Sequence, residues 1–429
     1  MSLSKPFRLQ ELPRLAFENV LHQMYPLYLF ELSNIPSTNL LNRMKNASLA
    51  SFCDIEIRYN SSVISITMRN GDKFKWRVYQ EDETEVMNGE WFCNQFYGEC
   101  LLERGEGPSY RKLSDTMKLE VFKCSANDTM CSILRKTDEE PPKHPLFSQL
   151  LCKFPCPIRN LFLTSTSKQG IALQKYMFNW KSVKQCENLR IICALGNDFL
   201  DFLERIEVRN EVDIDYCQQT RRESTRFCNY WVKDYKTLKL YGVQNYTGYA
   251  LNHRSNHEHL TLCGVNLRST HLNEYLQNWQ NGGHCQLKTL YYCGNYGLDL
   301  PLILENLRLE RSMPKESPRF VKCSKVYIDT TIQSESHYQT VLIKNQQGTR
   351  ATVLIRRESL YFAIWEEPYQ IAIPKGHRMV RTKYMDSETD PIYELCPMIP
   401  EVFRNEEYVQ RDLKEFQSNL QFTRMHLID

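Results

Sequence analysis

Leu260-Thr-Leu-Cys-Gly264, then Leu272-Asn-Glu-Tyr-Leu-Gln-Asn-Trp279, then Asn281-Gly-Gly283, then Leu287-Lys-Thr-Leu290 stand in one continuous stretch of the chain. The first piece is a short apolar run stopped by glycine, which reads as a buried strand. The second carries Leu272, Leu276 and Trp279 at four-then-three spacing, which reads as an amphipathic helix. Asn281-Gly-Gly283 ends that helix, because glycine adopts the left-handed conformation a helix C-terminus needs. The alternative for these glycines is direct contact with a ligand. Leu287 to Leu290 then starts a second strand. Trp279 is expected in the core rather than at a contact surface.

Working outward, short apolar strands begin near Ile158, Leu189, Val212, Leu238, His259 and Leu287, at intervals of 31, 23, 26, 21 and 28 residues. Helical patterns fall between several of them, as at Phe199-Leu-Asp-Phe-Leu203. Strand plus helix at this interval is the signature of a leucine-rich-repeat-like solenoid. The repeat is irregular, and the asparagine of the standard repeat is not at its usual offset. An ordinary α/β sheet is the alternative.

Upstream, residues 6–46 read as three short helices. Pro13 starts the first, with Phe17, Leu21 and Met24 at helical spacing. Pro26 starts the second, and Ser37 or Thr38 caps a third bearing Leu40, Leu41 and Met44. This trio has too little mass for a good core of its own and must be covered by the rest of the chain or by a partner. Residues 52–80 change to strand period, with Asn70-Gly71 as a hairpin turn, and form a small antiparallel meander. Residues 81–115, acidic and then glycine-rich, read as loop. Asp138-Glu-Glu-Pro-Pro-Lys-His-Pro145 marks a boundary or a long surface loop. Downstream, Val326–Ile328, Tyr338–Ile343, Ala351–Ile355 and Leu360–Trp365 are β-branched and aromatic, with a turn at Gln346-Gln-Gly348. Val409, Leu413, Phe416 and Leu420 mark an amphipathic C-terminal helix capped at Asn405. The fold class is thus mixed, α+β with an α/β array.

The chain has 429 residues, which points to two or three domains, and 42% apolar with 24% charged residues is a globular composition. A net charge of +3 with no basic stripe argues against nucleic acid or an anionic membrane as partner. No run approaches the eighteen apolar residues of a membrane span, and Met1 to Lys5 lacks a signal-peptide pattern. The sixteen cysteines are therefore expected to be reduced and mostly buried, and the sequons at Asn60 and Asn245 inert.

Two stretches resemble a known family. Pro6-Phe-Arg-Leu9, Leu12-Pro13, Leu15, Glu18-Asn-Val-Leu21, Met24, Leu29 and Leu32-Ser33 look like an F-box. The stretch from Leu260 to Leu290, with Asn266-Leu267, Trp279 and Asn281-Gly-Gly283, is similar to the type-2 F-box-associated domain. Tyr361-Phe-Ala-Ile-Trp365 suits the C-terminal end of such proteins. The likeness covers the first forty residues and roughly 235–365. Family members often carry an acidic residue near the position of Tyr28, and Ile35-Pro36 replaces the usual basic residues.

The resemblance implies a domain order of F-box (1–46), β-rich connecting region (47–137), F-box-associated, repeat-like recognition domain (146–375) and tail with amphipathic helix (376–429). It implies a substrate-recognition subunit of a cullin-type (SCF) ubiquitin ligase, non-catalytic, without cofactor, cytoplasmic or nuclear. The F-box would bind a Skp-type adaptor, and through it cullin, while the downstream domain holds a protein substrate of unknown identity. Leu9, Leu12, Pro13, Leu15, Val20, Leu21, Leu29 and Leu32 are the expected adaptor contacts, with intra-module core the alternative for several. Trp279, Asn281, Gly282 and Gly283 are expected to be structural. A protein-binding scaffold with a degenerate F-box is the competing reading, and an enzyme with a site built from distant residues is a third.

Local catalytic motifs are absent from the sequence: no Gly-x-Ser-x-Gly elbow, phosphate-binding glycine loop or His-Glu-x-x-His. Cys152-Lys-Phe-Pro-Cys156 has a permissive metal spacing but no matching second pair. His253, His257 and His259 read as a solvated loop, with a metal site as alternative. Arg221-Arg222 and Arg356-Arg357 read as solvated faces.

Overall fold

The computed structural model describes residues 9–24, 26–33, 35, 37–57, 61–80, 84–87, 90–93, 100–103, 109–112, 118–124, 130–134, 143–165, 183–193, 202–216, 235–243, 246–254, 257–284, 286–294, 297–310, 318, 320–323, 326–329, 338–365, 377–381 and 392–397. The fold is mixed α/β, a large sheet with few helices. Residues 138–142, Arg221, Arg222, the two sequon asparagines and the expected C-terminal helix lie outside the described residues.

A 3-10 turn (Leu9–Glu11) leads into α1 (Arg14–Gln23), α2 (Pro26–Ser33) and α3 (Thr38–Asn46). Pro13 sits at the N-cap of α1, and the Ser37 hydroxyl accepts the Leu40 N–H at 3.3 Å to cap α3. Phe17 and Leu21 share the inner face of α1. They pack into one continuous core with Leu29, Leu40, Met44, Ile64, Ile66, Phe74 and Trp76. The rest of the chain therefore covers the trio's inner apolar face. Arg43 fastens α3 to α1: its guanidinium lies 4.0 Å above the Phe17 ring and donates to the Leu12 carbonyl at 2.7 Å.

The meander is β1 (Ala50–Ile57), β2 (Ser61–Met68) and β3 (Lys73–Gln80), antiparallel throughout. Gly71, at φ +91°, makes the turn that Asn70-Gly71 predicts. Residues 81–115, expected as loop, contain β4 (Thr84–Met87), β5 (Glu90–Cys93), β6 (Cys100–Glu103) and β7 (Ser109–Lys112). Val86 is the register partner of Trp91 and Phe92 of Leu101, so β-formers in the sequence outweigh the acidic composition. β8 (Lys118–Cys124) and β9 (Met130–Leu134) follow, β9 running parallel to β3.

Helix α4 (Lys143–Lys153) precedes β10 (Ile158–Ser165), which runs parallel to β1, so the sheet is continuous across the proline-rich segment. Next come β11 (Gln185–Cys193), β12 (Glu207–Tyr216), β13 (Thr237–Tyr241), β14 (His259–Cys263) and β15 (Thr289–Cys293), each parallel to its predecessor and beside it. Helix α5 (Gly248–Arg254) connects β13 to β14, and α6 (Ser269–Gln280) connects β14 to β15. One row of side chains explains the register: Ile55, Leu161, Leu189, Val212, Leu238, Leu260 and Leu290 are lateral neighbours and all buried. A second buried row runs Ile57, Leu163, Ile191, Ile214, Leu240, Leu262 and Tyr292. Slipping any strand by one residue would turn its pair to the opposite face.

Beyond β15 comes α7 (Leu300–Leu304), then β16 (Phe320–Cys323), β17 (Val326–Asp329), β18 (Tyr338–Lys344), β19 (Arg350–Arg356), β20 (Ser359–Ile364), β21 (His377–Arg381) and β22 (Ile392–Pro397). β20 joins β15 antiparallel and extends the large sheet through β19 to β18. β16, β17, β22 and β21 form a second, four-stranded sheet. Val321, Cys323 and Ile328 of that sheet pack with Leu354, Tyr361, Ala363 and Trp365, so both faces of the large sheet are covered at this end.

Candidate functional site

Two surfaces carry the residues of interest. The first is the outer side of the helical trio. On α1, Phe17 and Leu21 point inward, which turns Leu15 and Val20 outward; Leu15 is 74% exposed and Val20 37%. Pro13 is also exposed, and Tyr28 and Ile35 add to the accessible apolar surface. Leu9, Leu12 and Leu32 are half-buried against the core. Leu21 and Leu29 are fully buried, at 0% and 1% exposure. These two support the fold, and their side chains are not available to an adaptor. The expected contact set is therefore split between surface and core, because an amphipathic helix this short needs its most apolar positions for its own packing.

The second surface is the open face of the parallel array, opposite the aliphatic rows. There the rows are Asp54, Asn160, Asn188, Glu211, Thr237, His259 and Thr289; then Glu56, Phe162, Arg190, Asp213, Lys239, Thr261 and Tyr291; then Thr164, Ile192, Asp215, Tyr241, Cys263 and Cys293. The first row opens with an amide ladder. Asn160 Nδ2 donates to Asp54 Oδ1 at 2.7 Å, Asn188 Nδ2 to Asn160 Oδ1 at 2.8 Å, and Asn210 Nδ2 to Asn188 Oδ1 at 2.7 Å. Arg159 also grips Asp54 with two bonds, 2.6 and 3.0 Å, and lies 3.8 Å above the Phe52 ring. Lys239 pairs with Glu211 at 2.6 Å and Arg190 with Asp213 at 3.5 Å. Sequence reading missed this ladder. Its signal was an asparagine directly before the apolar pair in Asn160-Leu161 and Asn188-Leu189.

Toward β15 the open face changes character. Tyr291 and Tyr361 stack with centroids 4.6 Å apart beside Cys263 and Cys293. Burial, and then the Asp213 carboxylate, pushes the Tyr241 phenol up. Burial first, and Asp213 second, pushes the Asp215 carboxyl up as well, against a smaller pull from Arg190. The second sheet walls off this end, where the Cys323 thiol sits 3.4 Å from the Phe362 carbonyl. The result is a broad face, charged and amide-lined at one end, aromatic at the other, and stopped by a wall.

The other predicted positions are structural. Trp279 is buried and meets Phe362 edge-on at 5.0 Å. Asn281 is the C-cap of α6 and accepts from Arg308 at 2.9 Å. Gly282 follows at φ +88°, donating to Trp279, and Gly283 donates to the Asn278 carbonyl at 2.8 Å. The histidine stretch, expected as a solvated loop, is partly core. His257 is fully buried, stacked on Tyr235 with Nδ1 2.8 Å from its carbonyl, while His259 Nδ1 meets Thr289 Oγ1 at 2.9 Å. His257 is thus held by the segment leading into β13 and His259 by β15. Among the described residues no three potential metal ligands converge, and no helix is long and apolar enough to cross a membrane.

No family model, curated protein or solved structure matches this chain.

Proposed function

We propose that the chain is the substrate-recognition subunit of a cullin-type ubiquitin ligase, with residues 1–46 acting as an F-box and the strand–helix array as a leucine-rich-repeat-like, F-box-associated recognition domain. The observation that carries this reading is the exposure of Pro13, Leu15 and Val20 on a trio whose other face is already buried. An apolar surface that the chain leaves uncovered suits a Skp-type adaptor groove, and each side chain fully buried there contributes about 1.5–3 kcal/mol. The open face of the array suits a protein substrate: it is broad and lined with charges, tyrosines and the amide ladder. Catalysis is left to the conjugating enzyme, the chain supplying proximity.

The test is co-purification of the full chain with a Skp-type adaptor, comparing it with a Leu15→Asp, Val20→Asp double variant. Both positions face solvent, so the variant is expected to keep its melting temperature and lose the adaptor. Retained binding by the variant, or no binding by the unaltered chain, removes the ligase reading. The scaffold reading then leads. It is favoured by one observation, the merging of Phe17, Leu21 and Leu29 with the Trp76 core, which fits a trio that serves only as a cap on the sheet.

A further inference from the structure

We propose that the open face of the array takes an extended basic segment of its protein substrate, with lysine or arginine side chains seated on the carboxylates and tyrosines of β12 to β15. The inference rests on the recognition role proposed above for this face and adds the chemistry of the occupant. Strands β1 and β10 to β15 stand abreast and parallel there. At about 4.8 Å between strands the face is roughly 29 Å across, which an extended chain rising about 3.3 Å per residue spans in about nine residues.

The charge of this face is opposite to that of the chain. The whole molecule carries a net +3. The three open rows hold five carboxylates, those of Asp54, Glu56, Glu211, Asp213 and Asp215, against the cations Arg190 and Lys239. Arg159, which leans onto Asp54, makes a third cation, so the face keeps an acidic excess. All three cations are engaged on the face itself: Arg159 on Asp54, Lys239 on Glu211 and Arg190 on Asp213. Asp215 forms no hydrogen bond or ion pair with any described residue. It is half-buried, and burial, then Asp213, pushes its carboxyl up while Arg190 answers only in part. A cation brought by a partner supplies what the chain withholds at this position.

The neighbours of Asp215 fit the same occupant. The half-buried Tyr241 is its register partner on β13, and Tyr291 closes the adjoining row on β15. A carboxylate beside a phenol ring suits a long basic side chain, whose head meets the charge while its methylene stem lies along the ring. The amide ladder adds an acceptor. Each of its amide nitrogens donates toward Asp54, so the exposed Asn210 at the open end keeps its side-chain carbonyl oxygen for an incoming N–H. An acidic or phosphorylated segment would meet like charge over the same rows.

The test uses the full chain and two fluorescein-labelled peptides of that length, one alternating lysine with serine and one alternating glutamate with serine. Binding is read by fluorescence anisotropy with no adaptor present. The lysine peptide is expected to bind and the glutamate peptide not. Binding should weaken as salt rises from about 0.1 to about 1 M, where the screening length falls from about 10 to about 3 Å. Asp215→Asn should weaken the lysine peptide about tenfold while its melting temperature holds or rises. Glu274→Gln removes one charge from α6, on the helix-covered side of the sheet, and should leave binding unchanged. Equal binding of the two peptides, a loss in Glu274→Gln as large as in Asp215→Asn, or a lysine peptide that the chain ignores overturns the proposal. A chain that holds the adaptor and ignores the lysine peptide keeps the ligase reading and loses this one; the reverse result keeps this one and leaves a scaffold for basic segments.

Discussion

The middle of the large sheet and its C-terminal end are built from the same kind of strand but solved differently. Across β10–β14 one face is aliphatic and covered, while the other is left to charges, amides and tyrosines. At β19 and β20 both faces are apolar, because the second sheet covers what would otherwise be open. Ala351, Val353 and Ile355 serve one core, and Leu354 with Trp365 serves the other. Where a strand is sealed on both sides, its residues are fixed by packing. Where one side is left open, half of its residues are released from packing, which is what the proposed recognition role needs.

The sharpest test of this contrast uses two adjacent residues of β13. Leu238 is fully buried in the aliphatic row, and Lys239 points to the open face, bonded to Glu211 at 2.6 Å. Leu238→Ala is expected to cost about 2–5 kcal/mol in urea unfolding, from lost transfer energy plus the cavity left behind. Lys239→Ala is expected to cost less than about 1 kcal/mol, since a partly solvated ion pair contributes little. Comparable losses at the two positions would mean that the open face is structural too, and would remove it as a recognition surface.

A middle-sized effect is expected where α6 turns back toward β15. Gly282 sits at φ +88°, a conformation that strains any residue with a Cβ, although an added Cβ would meet only Gln346 Oε1, at an ordinary 3.7 Å. Gly282→Ala is expected to destabilise the chain by about 1 kcal/mol, read as a lower urea midpoint with an unchanged slope. An unchanged midpoint would show that the turn relaxes at no cost and that its glycine has another use.

How much of this was readable in advance follows from the same contrast. The aliphatic rows repeat, so Leu161, Leu189, Val212, Leu238, Leu260 and Leu290 marked strands without any knowledge of their partners. Turns were legible where backbone geometry demands a residue type, as at Gly71, Gly282 and Gly348. The amide ladder was not legible, because Asn160, Asn188 and Asn210 meet only once the strands are placed in register, and one bulge at Cys186 shifts that register. The burial of Leu21 and Leu29 was hidden for a related reason. The same apolar spacing serves an internal face or a docking face, and only the position of Trp76 and its neighbours decides between them. His257 was misread because a polar stretch gave no hint that Tyr235 would lie beneath its ring.

The smallest expected effect concerns Asp215, a carboxyl of the open face whose pKa is raised. Asp215 stands between Ile192 and Tyr241 in the third row, and burial, then Asp213, holds its pKa above the ordinary Asp value. A carboxyl raised on folding binds its proton more tightly in the native chain than in the unfolded one. At neutral pH the native chain therefore holds an ionised group that the unfolded chain holds at less cost, and the difference counts against stability. As pH falls through the raised pKa toward the ordinary Asp range, the native state takes up the proton first and that penalty is relieved. Asp215→Asn should accordingly stabilise the protein at pH 7, by a small margin because the site is half-open to solvent. The gain should shrink steadily on acidification and vanish once both forms are neutral. A destabilised Asn variant at pH 7 would mean that the carboxylate is held by a partner on this face, which would make the charged end of the open surface part of the fold's own bonding and leave recognition to the tyrosine end.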